Sequence, residues 1–141
     1  MKCLLAGDKE GVSKNLGELL LNPSCHDFKE ENSYHMFIYG ILLAAADDYM
    51  VLSNLETGKG RSDCLIKPHD KARYAVVIEF KHQSAEGADL AAEARVGLAQ
   101  INEKAYIHTL QREGYGRVYK YGIAFRKKSC EVAMETMENV E

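Results

Sequence analysis

The run RYAVVIEFK, residues 73–81, reads as a strand at the centre of a sheet, because its β-branched and aromatic residues suit a pleated, buried surface. Alternation along a strand sends Val76, Ile78 and Phe80 to one face and Val77, Glu79 and Lys81 to the other. A carboxylate and an ammonium therefore share a face near the end of a core strand, where burial without a partner is costly. Two readings follow: the strand end emerges into water, or the polar face is a site.

The neighbouring segments limit what this strand can pair with. YMVLSNLE (49–56) and RSDCLIK (61–67) read as two earlier strands, joined by the turns TGKG and PHDKA, so three consecutive strands form an antiparallel meander. Leu16, Leu19 and Leu20 stand at helical spacing in the first 22 residues, which predicts one short helix ended by LNPSCHD. Asp27 and Glu30 have capping-box spacing, and a longer helix to Ala46 would put Glu31, His35, Ile38 and Leu42 on one side. Residues 86–111 read as one long helix with a stripe of Leu90, Ala94, Leu98, Ile101 and Ala105, and with Val96, Ile107 and Leu110 elsewhere on its surface. VYKYGIAFRKK and SCEVAME then form a strand hairpin, and TMENVE is expected to fray. The order predicts an α/β fold, a mixed sheet between helices; without a Gly-rich strand-to-helix loop, a doubly wound fold fits less well.

A chain of 141 residues with 46% hydrophobic composition is long enough for one compact domain. No apolar run approaches the roughly 20 residues of a membrane-spanning helix, and MKCLLAGDKEG is too weakly apolar for a secretory signal, so a cytoplasmic location is expected. Cys3, Cys25, Cys64 and Cys130 lack the spacing of a zinc site or a disulfide framework, and are read as reduced, partly buried thiols. The net charge of -3 is uneven: residues 1–58 hold 9 acids against 4 Lys or Arg, and residues 59–141 hold 12 against 14. Arg117, Lys120, Arg126, Lys127 and Lys128 in the second part are solvated surface or the wall of a basic groove.

Asp63 shifts the weight between the two readings of Glu79 and Lys81 toward a site. It lies in the preceding strand across a short turn, so its carboxylate and that of Glu79 can converge. Two carboxylates, a carbonyl and waters suit a hard divalent cation, and an adjacent ammonium can orient a water and offset charge on phosphate.

At these residues the chain resembles the PD-(D/E)xK nuclease superfamily: Asp63 is followed by Glu79-Phe80-Lys81 on the next strand. The blocks ENSYH, SNLETGKGRSD, VVIEFK, AQINEKAY and YKYGIAFRKKSCEV further resemble, from about residue 8 to 133, the nuclease-like domain at the C-terminus of bacterial proteins with an AAA-type ATPase-like domain. The resemblance implies a restriction-endonuclease-like α-β-β-β-α-β core over residues 27–135, preceded by a helix and turn at 1–26 and followed by a tail at 136–141. It implies Asp63, Glu79 and the Phe80 backbone carbonyl as ligands of Mg2+ or Mn2+, with Glu31 joining through water, Lys81 as the catalytic lysine and Gln100 facing the site.

For each of these a plainer role is also open. Glu31 can serve as a first-turn acid favoured by the helix dipole, and Gln100 as an exposed helix residue. Tyr34 and His35 are read as core and support, and Arg61 as contacting either phosphate or a neighbouring acid. Ser62 stands where the superfamily's name has proline, which leaves the metal chemistry untouched. Lys104 occupies the tyrosine position of the Q-x-x-x-Y pattern of one nuclease branch, so that branch's exonuclease behaviour is not implied. No G-x-x-x-x-G-K-[ST] motif is present.

The expected activity is Mg2+-dependent hydrolysis of DNA, with Arg61, Lys120, Arg126 and Lys127 as candidate nucleic-acid contacts. An ATPase-like partner and a homodimer are both compatible with it. The alternatives are a non-catalytic binding or regulatory module of the same fold, and a hydrolase of a different phosphate.

Overall fold

The computed structural model describes the backbone of residues 1–21, 31–57, 60–103 and 106–139, and the side chains of these residues apart from 31, 32, 54–57 and 60–63. Its elements are α1 (Lys2–Ala6), α2 (Lys9–Leu19), α3 (Glu31–Ala44), β1 (Tyr49–Thr57), β2 (Gly60–Pro68), β3 (Ala75–His82), α4 (Leu90–Glu103), α5 (Tyr106–Arg112), β4 (Arg117–Arg126) and β5 (Ser129–Glu138).

The strands form one sheet in the order β1-β2-β3-β4-β5. β1, β2 and β3 make the expected antiparallel meander, with Thr57 opposite Gly60 and Cys64 opposite Ile78. β4 is parallel to β3, which requires the chain to cross over through α4 and α5, and β5 returns from β4 by a tight hairpin at Arg126 and Ser129. β3, at the centre, is the apolar run, and its first six residues are all buried.

Strand alternation gives the sheet two different coats. Val76, Ile78 and Phe80 join Tyr121, Ile123 and Phe125 beneath Leu4, Val12, Leu16, Tyr34, Ile38 and Leu42 of α1, α2 and α3. Ala75, Val77, Leu65 and Val118 face the other way, under Ile101, Tyr106 and Leu110 of α4 and α5. The N-terminal helices thus share the main core, and the Tyr121 hydroxyl donates to the Leu4 carbonyl at 2.9 Å.

Three local expectations need correction. The single N-terminal helix is two, because Gly7 takes φ 69 at the end of α1 and Asp8 accepts from the Gly11 amide at 3.0 Å to begin α2. The long helix starts at Leu90 rather than residue 86: Gly87 has φ 75, and Asp89 accepts from the Ala92 amide at 3.1 Å as the cap of α4. Helix is described over Leu90–Glu103 and Tyr106–Arg112, residues 104 and 105 lie outside the described residues, and Val96, off the main apolar stripe, is 45% exposed. Third, Thr136, Met137 and Glu138 do not fray; they pair with Tyr119, Val118 and Arg117, because β4 is long enough to hold them.

Cys3 and Cys130 are free thiols and Cys64 is buried in β2, while Cys25 lies outside the described residues. Burial first, and then the Glu131 charge, push the Cys130 thiol up to about 11. Alkylation of Cys130 at pH 8 is therefore expected to be about a hundredfold slower than in the urea-unfolded chain, and to accelerate about tenfold per pH unit up to pH 10. Peptide mapping of iodoacetamide-labelled protein checks this. Among the described residues no helix is long and apolar enough to cross a membrane.

Candidate functional site

The C-terminal end of β3 carries Glu79, Phe80 and Lys81. Glu79 is 4% exposed and Lys81 is half-buried, both on the face covered by α4. Two glycines let that helix come close. Gly122 of β4 stands opposite Glu79, and a Cβ there would fall on the Ala94 carbonyl oxygen and within 2.6 Å of the Leu98 nitrogen. Gly97 of α4 lies over β3 itself: a Cβ on it would come 3.4 Å from both the Glu79 carbonyl oxygen and the Lys81 Cγ. The α4 backbone consequently walls the charged pair, and the Lys81 stem packs along it.

Asp63 lies in β2 immediately before Cys64, and Cys64 pairs with Ile78, the residue before Glu79. The antiparallel run of the two strands carries positions 63 and 79 toward the same end of the sheet. Glu31 is the first described residue of α3, one turn before Tyr34 and His35. The Asp63, Glu31 and Arg61 side chains lie outside the described residues. Gln100, half-buried, follows Gly97 by one turn of α4. Asn102 points toward β4 and β5, where its side chain meets Lys120 and Glu135; Gln100, about 200° away around the helix, is on the opposite flank of α4.

The reverse side of the same strand end is aromatic. Tyr34 stacks on Phe125 with ring centroids 4.6 Å apart and tilts against His82 at 5.3 Å, while His35 lies 5.4 Å from the Phe80 ring. His35 Nε2 and the Ser53 hydroxyl are 2.6 Å apart, and the Tyr34 hydroxyl donates to the Lys127 carbonyl at 2.8 Å. Tyr34 and His35 thus anchor α3 to β1, β3 and the β4–β5 loop, as their support role requires. Burial holds the His82 imidazole below the ordinary histidine value, which favours its neutral form among these rings.

The basic residues separate into different environments. Lys120, expected at a surface groove, is 5% exposed, and its ammonium lies 2.7 Å from Asn102 Oδ1 and 3.3 Å from Glu135 Oε1. The reason is its place on the α4 face of β4, opposite Val77, where the helix covers it and only an internal acceptor can compensate. Arg126 ends β4 with its side chain 25% exposed, and Lys127 is exposed in the adjoining loop with φ 51. Sequence reasoning missed the Lys120–Asn102–Glu135 network, Gly97 and Gly122. A glycine inside a strand was the available signal for the last, since it marks a close backbone approach.

Among the described residues no three His, Cys, Asp or Glu side chains gather as a metal group; Asp63 and Glu31 fall outside that set. What the described part supplies is a buried carboxylate beside a half-buried ammonium, at a strand end reached by a second carboxylate-bearing strand. That donor chemistry fits a hard divalent cation bound to oxygen.

Comparison with curated proteins finds no match. The family model described as the PD-(D/E)XK nuclease superfamily matches residues 29–135, about three quarters of the chain, and takes in α3, the whole β1–β4 core and most of β5. With its mixed sheet, flanking helices and charged β3 end, the chain belongs to the PD-(D/E)XK nuclease superfamily, whose core is restriction-endonuclease-like.

Proposed function

We propose that the protein is a Mg2+- or Mn2+-dependent nuclease that hydrolyses DNA phosphodiester bonds at the C-terminal end of β3. The observation that carries this reading is the pair of Glu79, 4% exposed, and Lys81 on one face of a central strand in a chain of this superfamily. Nucleases of the superfamily generally use divalent metals, and Asp63, Glu79 and the Phe80 carbonyl would hold the ion, with Glu31 reaching it through water. When bound, the ion supplies Lewis acidity toward a phosphate oxygen.

The chain's own residues do the rest. Glu79 is buried where α4 closes on β3, which restricts its carboxylate and favours preorganisation. Lys81, half-buried on the same face, orients water by donating a hydrogen bond and offsets charge building on the phosphate. Gln100 adds a polar group from α4. A cytoplasmic location, and help from an ATPase-like partner or a second copy of the chain, belong to this reading as well.

The test is incubation of labelled single-stranded, duplex and branched DNA with Mg2+ or Mn2+ at low salt, with EDTA and Asp63→Asn as controls. Cleavage is expected in wild type, to be abolished by EDTA and to fall about a thousandfold in Asp63→Asn, since Lewis-acid assistance contributes several kcal/mol. Metal binding without cleavage in wild type would identify a nuclease-fold binding module instead. Failure to bind metal at all would sink the site.

A further inference from the structure

Arg126 is placed where a phosphate could be gripped, and its present partner is a weak one. It is the last residue of β4, and strand alternation puts it on the α4 face with Gly122 and Ala124. Lys81 pairs with Ala124, so Arg126 lies two residues farther along the adjoining parallel strand, roughly 6–7 Å beyond the Lys81 level. The Gln83 amide donates to the Phe125 carbonyl at 3.0 Å, which keeps the chain after β3 alongside β4 at this point.

The Arg126 side chain is three-quarters buried, and its Nε is buried with no hydrogen-bond partner among the described residues. Its ionic contact is Nη2 to Glu86 Oε1 at 3.6 Å, longer than a hydrogen bond, and Glu86 is 86% exposed. Such a pair contributes little, whereas a buried donor left unmade is costly. A guanidinium offers Nε–H and Nη–H as a fork, which a phosphate fills with two parallel hydrogen bonds. The base of the fork is held firmly: Tyr34 fixes the carbonyl of the next residue, Lys127, and the Lys128 ammonium donates to the Leu21 carbonyl at 3.1 Å.

We infer that Arg126 forms a subsite for a DNA backbone phosphate beside Lys81, and that Glu86 is a stand-in acid displaced when the phosphate enters. The DNA assignment rests on the nuclease reading above; the phosphate chemistry does not. Binding of a labelled oligonucleotide, measured with EDTA present so that no cleavage occurs, should weaken about 10- to 100-fold in Arg126→Ala. Its log–log salt slope should fall by about one, and Arg126→Lys should not restore the affinity. Glu86→Gln should bind a few-fold more tightly.

The deciding readout is the Arg126 Nε–H resonance of the ¹⁵N-labelled wild-type protein, titrated with inorganic phosphate and with a short oligodeoxynucleotide, which needs neither activity nor a folded variant. A resonance that moves with both establishes the subsite. If it moves in a protein that never cleaves, the subsite stands as a phosphate site and the nuclease reading fails. If it stays unmoved by both probes, the subsite is overturned, and cleavage lost in Lys81→Ala would still leave the nuclease intact. Movement with phosphate alone overturns the DNA assignment.

Discussion

Lys81→Ala is expected to lower the rate of DNA cleavage about 10²- to 10³-fold while leaving the fold and metal affinity in place. The size follows from the role. Removing one preorganised group that stabilises developing charge costs about 3–4 kcal/mol of barrier, because the site cannot reorganise to replace it. Lys81 is half-buried at the end of β3, with its stem against Gly97, so truncation removes the charge and some packing but leaves the apolar core beneath Val77 untouched. Glu79→Gln separates the two functions of the strand end: it should abolish cleavage and metal binding together, because an amide is a poor ligand for a hard cation. Single-turnover cleavage at saturating DNA, with calorimetric metal titration of each variant, distinguishes them. Should Lys81→Ala cleave at the wild-type rate, the lysine would be only a neutral support for the strand end. Should it lose metal binding as well, its role would be structural.

Gly122→Val is expected to destabilise the protein by about 3 kcal/mol or more, a large part of the 5–15 kcal/mol typical of a domain. The clash is with backbone, not with a flexible side chain: the first added atom meets the Ala94 carbonyl and lies 2.6 Å from the Leu98 nitrogen. Relief requires α4 to lift off the sheet, and lifting it opens the contacts of Ile101 with the core and moves Gly97 away from Glu79 and Lys81. Activity should therefore fall in any molecules that still fold. Gly40→Ala provides the contrast. Gly40 is in α3, where an added Cβ would have nothing within 4 Å, so the extra methyl removes only backbone freedom from the unfolded chain and should stabilise by about 0.5–1 kcal/mol. Urea unfolding of both variants measures the difference. A Gly122→Val protein as stable as wild type would mean that α4 does not approach β4 as closely as described.

Much of this protein could be read without coordinates where neighbouring residues decide the outcome. The β3 run declared a buried strand, and its period of two put Glu79 and Lys81 on one face and Phe80 on the other, because alternation is a property of extended backbone and needs no tertiary contact. The meander and the β4–β5 hairpin followed from short turns between β-rich segments, which leave paired strands little choice. Lys120 shows where such reasoning stops. Its neighbours suggested a solvated charge, and its burial depends on α4, more than fifteen residues away, crossing β4 at that level and supplying Asn102. The parallel pairing of β3 with β4 and the close seat of α4 over Gly122 likewise arise from packing between distant segments. Local pattern assigns a residue to a face; which element covers that face, how closely, and whether a charge there finds a partner are settled only when the layers meet, because burial and its compensation are properties of the assembled core.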